Sequence, residues 1–168
     1  MRNIFAVLFF IIFSLVFCAA QQAPAAPVEP KAIGVVYRLN PSSQELIRLP
    51  DEQSQERSGA RDPRKVFVEV QGAQSSLRIK AGEKTEFVFN TGNPEKVSLY
   101  LFEEKKKKRQ VQTMMLDIRG GGKLLKGLPA EVSRYGESSY KLVPASPLTP
   151  GEYVIFLGDE VYTFGIDQ

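Results

Sequence analysis

Hydrophobic and polar positions alternate with a period of two along most of this chain, and the densest such stretch is the last. Tyr153, Ile155 and Leu157 alternate on one side of Gly158-Asp159, and Tyr162, Phe164 and Ile166 on the other. Gly-Asp is a two-residue loop that closes a tight hairpin, because glycine accepts the positive φ such turns demand. With Leu157 opposite Glu160, Ile155 faces Tyr162 and Tyr153 faces Phe164, which makes one aromatic and aliphatic face for a core. The pleat sends Val154, Phe156, Val161 and Thr163 to the opposite face. Three apolar residues there need a cover. That cover is either the apolar side of a hairpin over 33–49 or another protein, so Val154, Phe156 and Val161 are candidate interface residues.

The same alternation marks the earlier strands. Ile33, Val35, Tyr37 and Leu39 share a face, Asn40 to Ser43 supplies a turn, and Glu45 to Leu49 returns, which predicts an accessory hairpin over 33–50. Residues 51–65 are charged, Ser/Gln-rich and nearly free of apolar side chains, so a mobile loop is expected. Alternation resumes at Val66, Val68 and Val70 and continues through Leu77–Lys80, Phe87–Phe89, Val97–Phe102, Val111–Leu116 and Tyr140–Leu142. Turn signals recur every eight to twelve or so residues and no long amphipathic helix interrupts them. Two packed antiparallel sheets are the expected architecture, with residues 33–168 as one domain and 66–168 as its sandwich core.

The segment before the corner strand carries a likeness. Leu148-Thr149-Pro150-Gly151-Glu152-Tyr153 resembles the tyrosine corner of immunoglobulin-like sandwiches, with Pro150, Gly151 and Tyr153 as its structural residues. Extended to the Ser-Tyr-Lys-Leu-Val-Pro strand before it and the Phe-Gly-Ile-Asp ending after it, the tail over roughly residues 138–167 resembles that of small exported bacterial β-sandwich proteins. The resemblance implies an immunoglobulin-like fold and export, and brings no catalytic residue with it.

Composition then fixes the compartment. Met1-Arg2-Asn3 is followed by an uncharged, apolar run to Ala20, which reads as a signal peptide over residues 1–20. The same run also fits an uncleaved anchor, and Cys18 stands where a lipoprotein cysteine would, although Phe17 before it is bulky. A membrane partner follows only in those two cases. Residues 21–32 are an Ala/Pro tether with nothing to pack. The expected location is the periplasm or the cell surface.

Without its first twenty residues the chain has no Cys, His or Trp, so its fold rests on a hydrophobic core without disulfides. His-dependent triads, Cys nucleophiles and ordinary zinc sites are excluded. No carboxylate pair is marked, so no enzyme activity and no cofactor are expected. Gly120-Gly121-Gly122-Lys123 fails as a phosphate loop, because Asp117 and Leu124 stand where glycine and Ser/Thr are required.

Charge is distributed unevenly. Residues 105–126 hold eight Lys or Arg against Asp117 alone. Lys105, Lys106, Lys107, Lys108 and Arg109 are expected to crowd the tip of a hairpin between 97–103 and 110–116, with Arg119, Lys123 and Lys126 nearby. Such a tip attracts an acidic glycan or an anionic lipid surface. It is also what a solvated, aggregation-resistant sheet edge looks like. Aromatic residues are not interleaved in the run, so nucleic acid is not the expected partner. The chain therefore reads first as an exported binding or assembly module with a protein partner or self-association, second as an anion-binding protein, and only third as a small hydrolase.

Overall fold

The computed structural model describes residues 27–168, and the segment expected to be a signal peptide, Cys18 and the first half of the expected tether (21–26) lie outside them. The described residues are all-β. Fourteen strands follow in order: β1 (Val36–Leu39), β2 (Leu46–Arg48), β3 (Ser54–Ser58), β4 (Lys65–Gln71), β5 (Arg78–Ile79), β6 (Phe87–Asn90), β7 (Val97–Leu101), β8 (Glu103–Lys105), β9 (Lys108–Leu116), β10 (Gly122–Leu124), β11 (Ala130–Arg134), β12 (Ser139–Pro144), β13 (Gly151–Leu157) and β14 (Glu160–Ile166). They form three sheets where two were expected. A front sheet runs β11-β12-β6-β1-β2, a central sheet β5-β14-β13-β7, and a third sheet β10-β9-β4-β3 with β8 beside β9. All pairings are antiparallel except β14 with β5.

The reason for the third sheet lies in the terminal hairpin. Its register is the one the alternation requires, with Leu157 opposite Glu160, Ile155 opposite Tyr162 and Tyr153 opposite Phe164. Tyr153, Ile155, Tyr162 and Phe164 face the front sheet and join Val36, Phe87, Phe89 and Leu142 in the main core. Val154 and Val161 on the other face are also buried, against Val68, Val70, Phe102 and Val111 of the third sheet and its approach. Hairpin β13–β14 is apolar on both sides, so it needs a layer on each. At about 1.5–3 kcal/mol for each fully buried Val, the second layer is worth forming.

This corrects the interface reading of Val154, Phe156 and Val161. Val154 is wholly buried, Val161 is 3 % exposed, and half-buried Phe156 meets Tyr100 edge-on at 5.5 Å between ring centroids. Their cover is internal, and it comes from the third sheet rather than from the 33–49 hairpin. That hairpin does form, as β1 and β2, but β1 also pairs with β6, so it extends the front sheet and is not an accessory.

Three further expectations change. Residues 54–58 are not loop: they pair with β4 from Ser54 opposite Val70 to Ser58 opposite Val66. All five are exposed, so an edge strand held by backbone bonds carries no apolar alternation to betray it. Residues 97–101 do not pair with β9. They join β13 in the central sheet, and the chain crosses through Phe102 into the third sheet, leaving only β8 to close the hairpin with β9. Finally, the end of the tether is packed. Pro30 is buried and the Glu29 carboxylate accepts bonds from Ser139 Oγ at 2.6 Å, Glu137 N at 2.8 Å and Ser138 N at 3.0 Å.

The corner forms as expected. The Tyr153 hydroxyl donates to the Thr149 carbonyl at 2.7 Å, just ahead of Pro150 and Gly151.

Candidate anion-binding groove

The outer face of the third sheet is polar and cationic. Along β4, Val68 and Val70 point to the core, so Phe67 and Glu69 point away from it. Register then sets their neighbours. Arg57 and Gln112 flank Phe67, Gln55 and Gln110 flank Glu69, and Lys108 flanks Gln71. On the outer edge Lys105 pairs with Lys108. The β3–β4 loop folds back at this level and brings Arg61 and Asp62 beside Lys65. Arg57, Arg61, Asp62, Lys65, Phe67, Glu69, Lys105, Lys108 and Gln110 line a groove of about 640 Å³, with Gln55, Gln71 and Gln112 beside them on the same sheet.

Five cations, Arg57, Arg61, Lys65, Lys105 and Lys108, face two carboxylates there, Asp62 and Glu69. Both carboxylates are engaged. Glu69 is almost fully buried and bonded by Lys108, whose ammonium holds its carboxyl below the usual range against the opposing effect of burial. Arg57 Nε approaches the same carboxylate at 3.6 Å. Asp62 accepts from Arg64 at 2.9 Å, a pairing that likewise lowers its pKa. Lys105 reaches Glu103 at 3.1 Å on the exposed edge. Among the described residues Arg61 and Lys65 have no ion-pair partner, so the groove keeps a net positive field. Clefts lined by one sign of charge focus that field on a mobile counter-ion.

The structure divides the cationic residues expected to act together. Lys105 and Lys108 line the groove, and Lys106 and Lys107 form the turn beyond it, where Lys106 adopts a left-handed φ of 49°. Arg119, Lys123 and Lys126 lie at the far end of β9, in or after its turn into β10.

Arg109 is not part of any surface. Its position on β9 opposite Val70 points it inward, where its side chain is 1 % exposed. It bonds Glu52 at 2.5 Å, Glu152 at 3.3 Å and the Gly72 carbonyl at 3.1 Å, and its guanidinium lies 5.5 Å from the Phe102 ring centroid. Glu152 also accepts from Ser75 N at 2.7 Å and from Arg78, which reaches on to Asp167 at 2.8 Å. Thr163 closes the set by donating to Glu52 at 2.5 Å. Arg78 passes over β14 at Gly165, where a Cβ would fall 1.7 Å from its Nη1. Burial opposes the charge of Arg78, but the Glu152 and Asp167 carboxylates outweigh it and raise its pKa. The cluster ties the central and third sheets together and is closed to solvent at Arg109 and Glu152.

Arg57, Arg61 and Lys65 escaped the sequence reading because they sit in the stretch read as loop. The buried cluster did leave a trace. Glu152 shares a strand face with Val154 and Phe156, and a carboxylate on an inward face requires a cationic partner.

Comparison with protein-family models, with curated proteins and with solved structures finds no match to this chain.

Proposed function

We propose that the chain is an exported, non-enzymatic binding module of the bacterial cell envelope that holds an acidic glycan segment in the groove of its third sheet. The observation that carries this reading is the lining of five cations against two already engaged carboxylates. Flanking Gln55, Gln71, Gln110 and Gln112 supply amide donors and acceptors of the kind hydroxyl-rich chains use, and Phe67 offers an apolar ring beside them. A protein-docking role for the back of the terminal hairpin is set aside, because that face is internal.

The test is polyanion affinity measured by titration calorimetry with heparin and with polygalacturonate as probes. Binding is expected to weaken steeply with salt. Arg57→Ser, Arg61→Ser and Lys65→Ser combined should weaken it by about tenfold or more, at a few tenths to about 1 kcal/mol for each exposed ion pair removed. Lys106→Ser with Lys107→Ser should have a much smaller effect. Wild-type affinity in the triple variant would remove the groove as the site.

A further inference from the structure

The inward face of the third sheet continues beyond the layer that covers it. Val70, Val68 and Val111 pack against the central sheet, but the same face runs on through Val66 and Met114 to Leu116 and, across the hairpin, to Leu124. There it is open. Leu116 is 36 % exposed, Leu124 69 %, and Ile118 in the turn between them 84 %. Gly122 stands opposite Leu116, and a Cβ on it would meet Met114 Sδ at 2.8 Å and Leu116 Cδ2 at 3.2 Å. The missing side chain lets Met114 and Leu116 lie across the strand as one apolar surface.

Cations surround this surface. Lys123 is paired with Met115, on the opposite face of the hairpin from Leu124, while Arg119 lies in the turn and Lys126 just past β10, all exposed. Asp117 alone offsets them, and its carboxylate is occupied in the turn by the Arg119 N–H at 3.3 Å.

We propose that the β9–β10 hairpin is an interfacial anchor that inserts Leu116, Ile118 and Leu124 into an anionic lipid surface, with Arg119, Lys123 and Lys126 at headgroup level. An apolar tip with cations beside it matches the layering of a bilayer surface, hydrocarbon below anionic headgroups. A protein partner fits it less well. Three aliphatic side chains on a turn fall short of the roughly 800 Å² per partner of a stable interface, and the tip has no Trp or Tyr anchor. The site is separate from the groove's lysines: Lys108 and Leu116 end the nine-residue β9, about 27 Å apart at the usual strand rise.

The chain contains no Trp, so Leu124→Trp places a single reporter at the tip. The exported protein is mixed with vesicles of phosphatidylcholine alone or with phosphatidylglycerol, both carrying brominated acyl chains. Emission should shift to the blue and be quenched only where phosphatidylglycerol is present. Adding Ile118→Ser should reduce the quenching several-fold, and Arg119→Ser with Lys123→Ser should abolish the preference for anionic lipid. Arg57→Ser with Arg61→Ser should leave the signal unchanged, which separates this anchor from the groove. Water-like emission of the Leu124→Trp protein on phosphatidylglycerol vesicles would overturn the proposal. So would equal quenching of Lys107→Trp, or a blue shift that follows protein concentration without lipid, which would assign the face to self-contact.

Discussion

Replacing Arg109 with Met tests whether the buried cluster holds the third sheet to the central one. The side chains of Arg109 and Glu152 are 1 % and 2 % exposed, so the substitution leaves charge inside the protein rather than at its surface. Breaking a buried pair from one side costs about 3–5 kcal/mol. The lower end applies, because Glu152 keeps Arg78 and the Ser75 N–H, and Glu52, 21 % exposed, regains water. The expected loss is therefore about 3 kcal/mol. In urea unfolding with a slope of about 2 kcal/mol/M, the midpoint should fall by about 1.5 M with the slope unchanged. Lys106→Met, three residues away in the same basic run, should stay within about 0.5 kcal/mol of wild type. A loss below about 1 kcal/mol for Arg109→Met, or equal effects of the two substitutions, would refute the inward placement of Arg109.

Two smaller outcomes follow from local geometry. Tyr153→Phe removes only the hydroxyl bond to Thr149 and should cost on the order of 1 kcal/mol in the same urea assay, with the fold intact. Glu29 is held at a pKa of about 2, chiefly by the Ser139 hydroxyl and then by the Ser138 and Glu137 N–H groups. Its folded value lies below the unfolded 4.5, so its docking contributes fully above about pH 4.5 and is lost as pH falls toward 2. A carboxylate titration by nuclear magnetic resonance should find that midpoint, and Glu29→Gln should expose residues 27–34 to proteolysis at about pH 7. A midpoint near the unfolded 4.5 would mean that the tether end is not docked.

The strands were legible wherever one face was apolar and the other polar. The register of β13 and β14 follows from the Gly158-Asp159 turn alone, and the corner from Pro150-Gly151 and Tyr153. What escaped the reading has physical causes. Strand β3 is an exposed edge of Ser, Gln, Glu and Arg, and backbone pairing leaves no mark on composition. The sheet that covers Val154 and Val161 comes from strands distant in sequence, β4 and β9, so local alternation announced the need for a cover without naming it. Arg109 follows four lysines in the sequence, but each step along a strand reverses the side chain's face. Lys108 therefore points to the groove and Arg109 to the core.

An acidic polymer seated on the outer face of the third sheet would leave a map of itself on the backbone. Amide shift mapping by nuclear magnetic resonance during titration with a heparin oligosaccharide reads that map residue by residue. Perturbations should gather at residues 57–69 and at Lys105, Lys108 and Gln110, and should fade as salt is raised. Shifts confined to the turn at 117–126, or none along β3, β4 and their loop, would contradict the groove as the binding site.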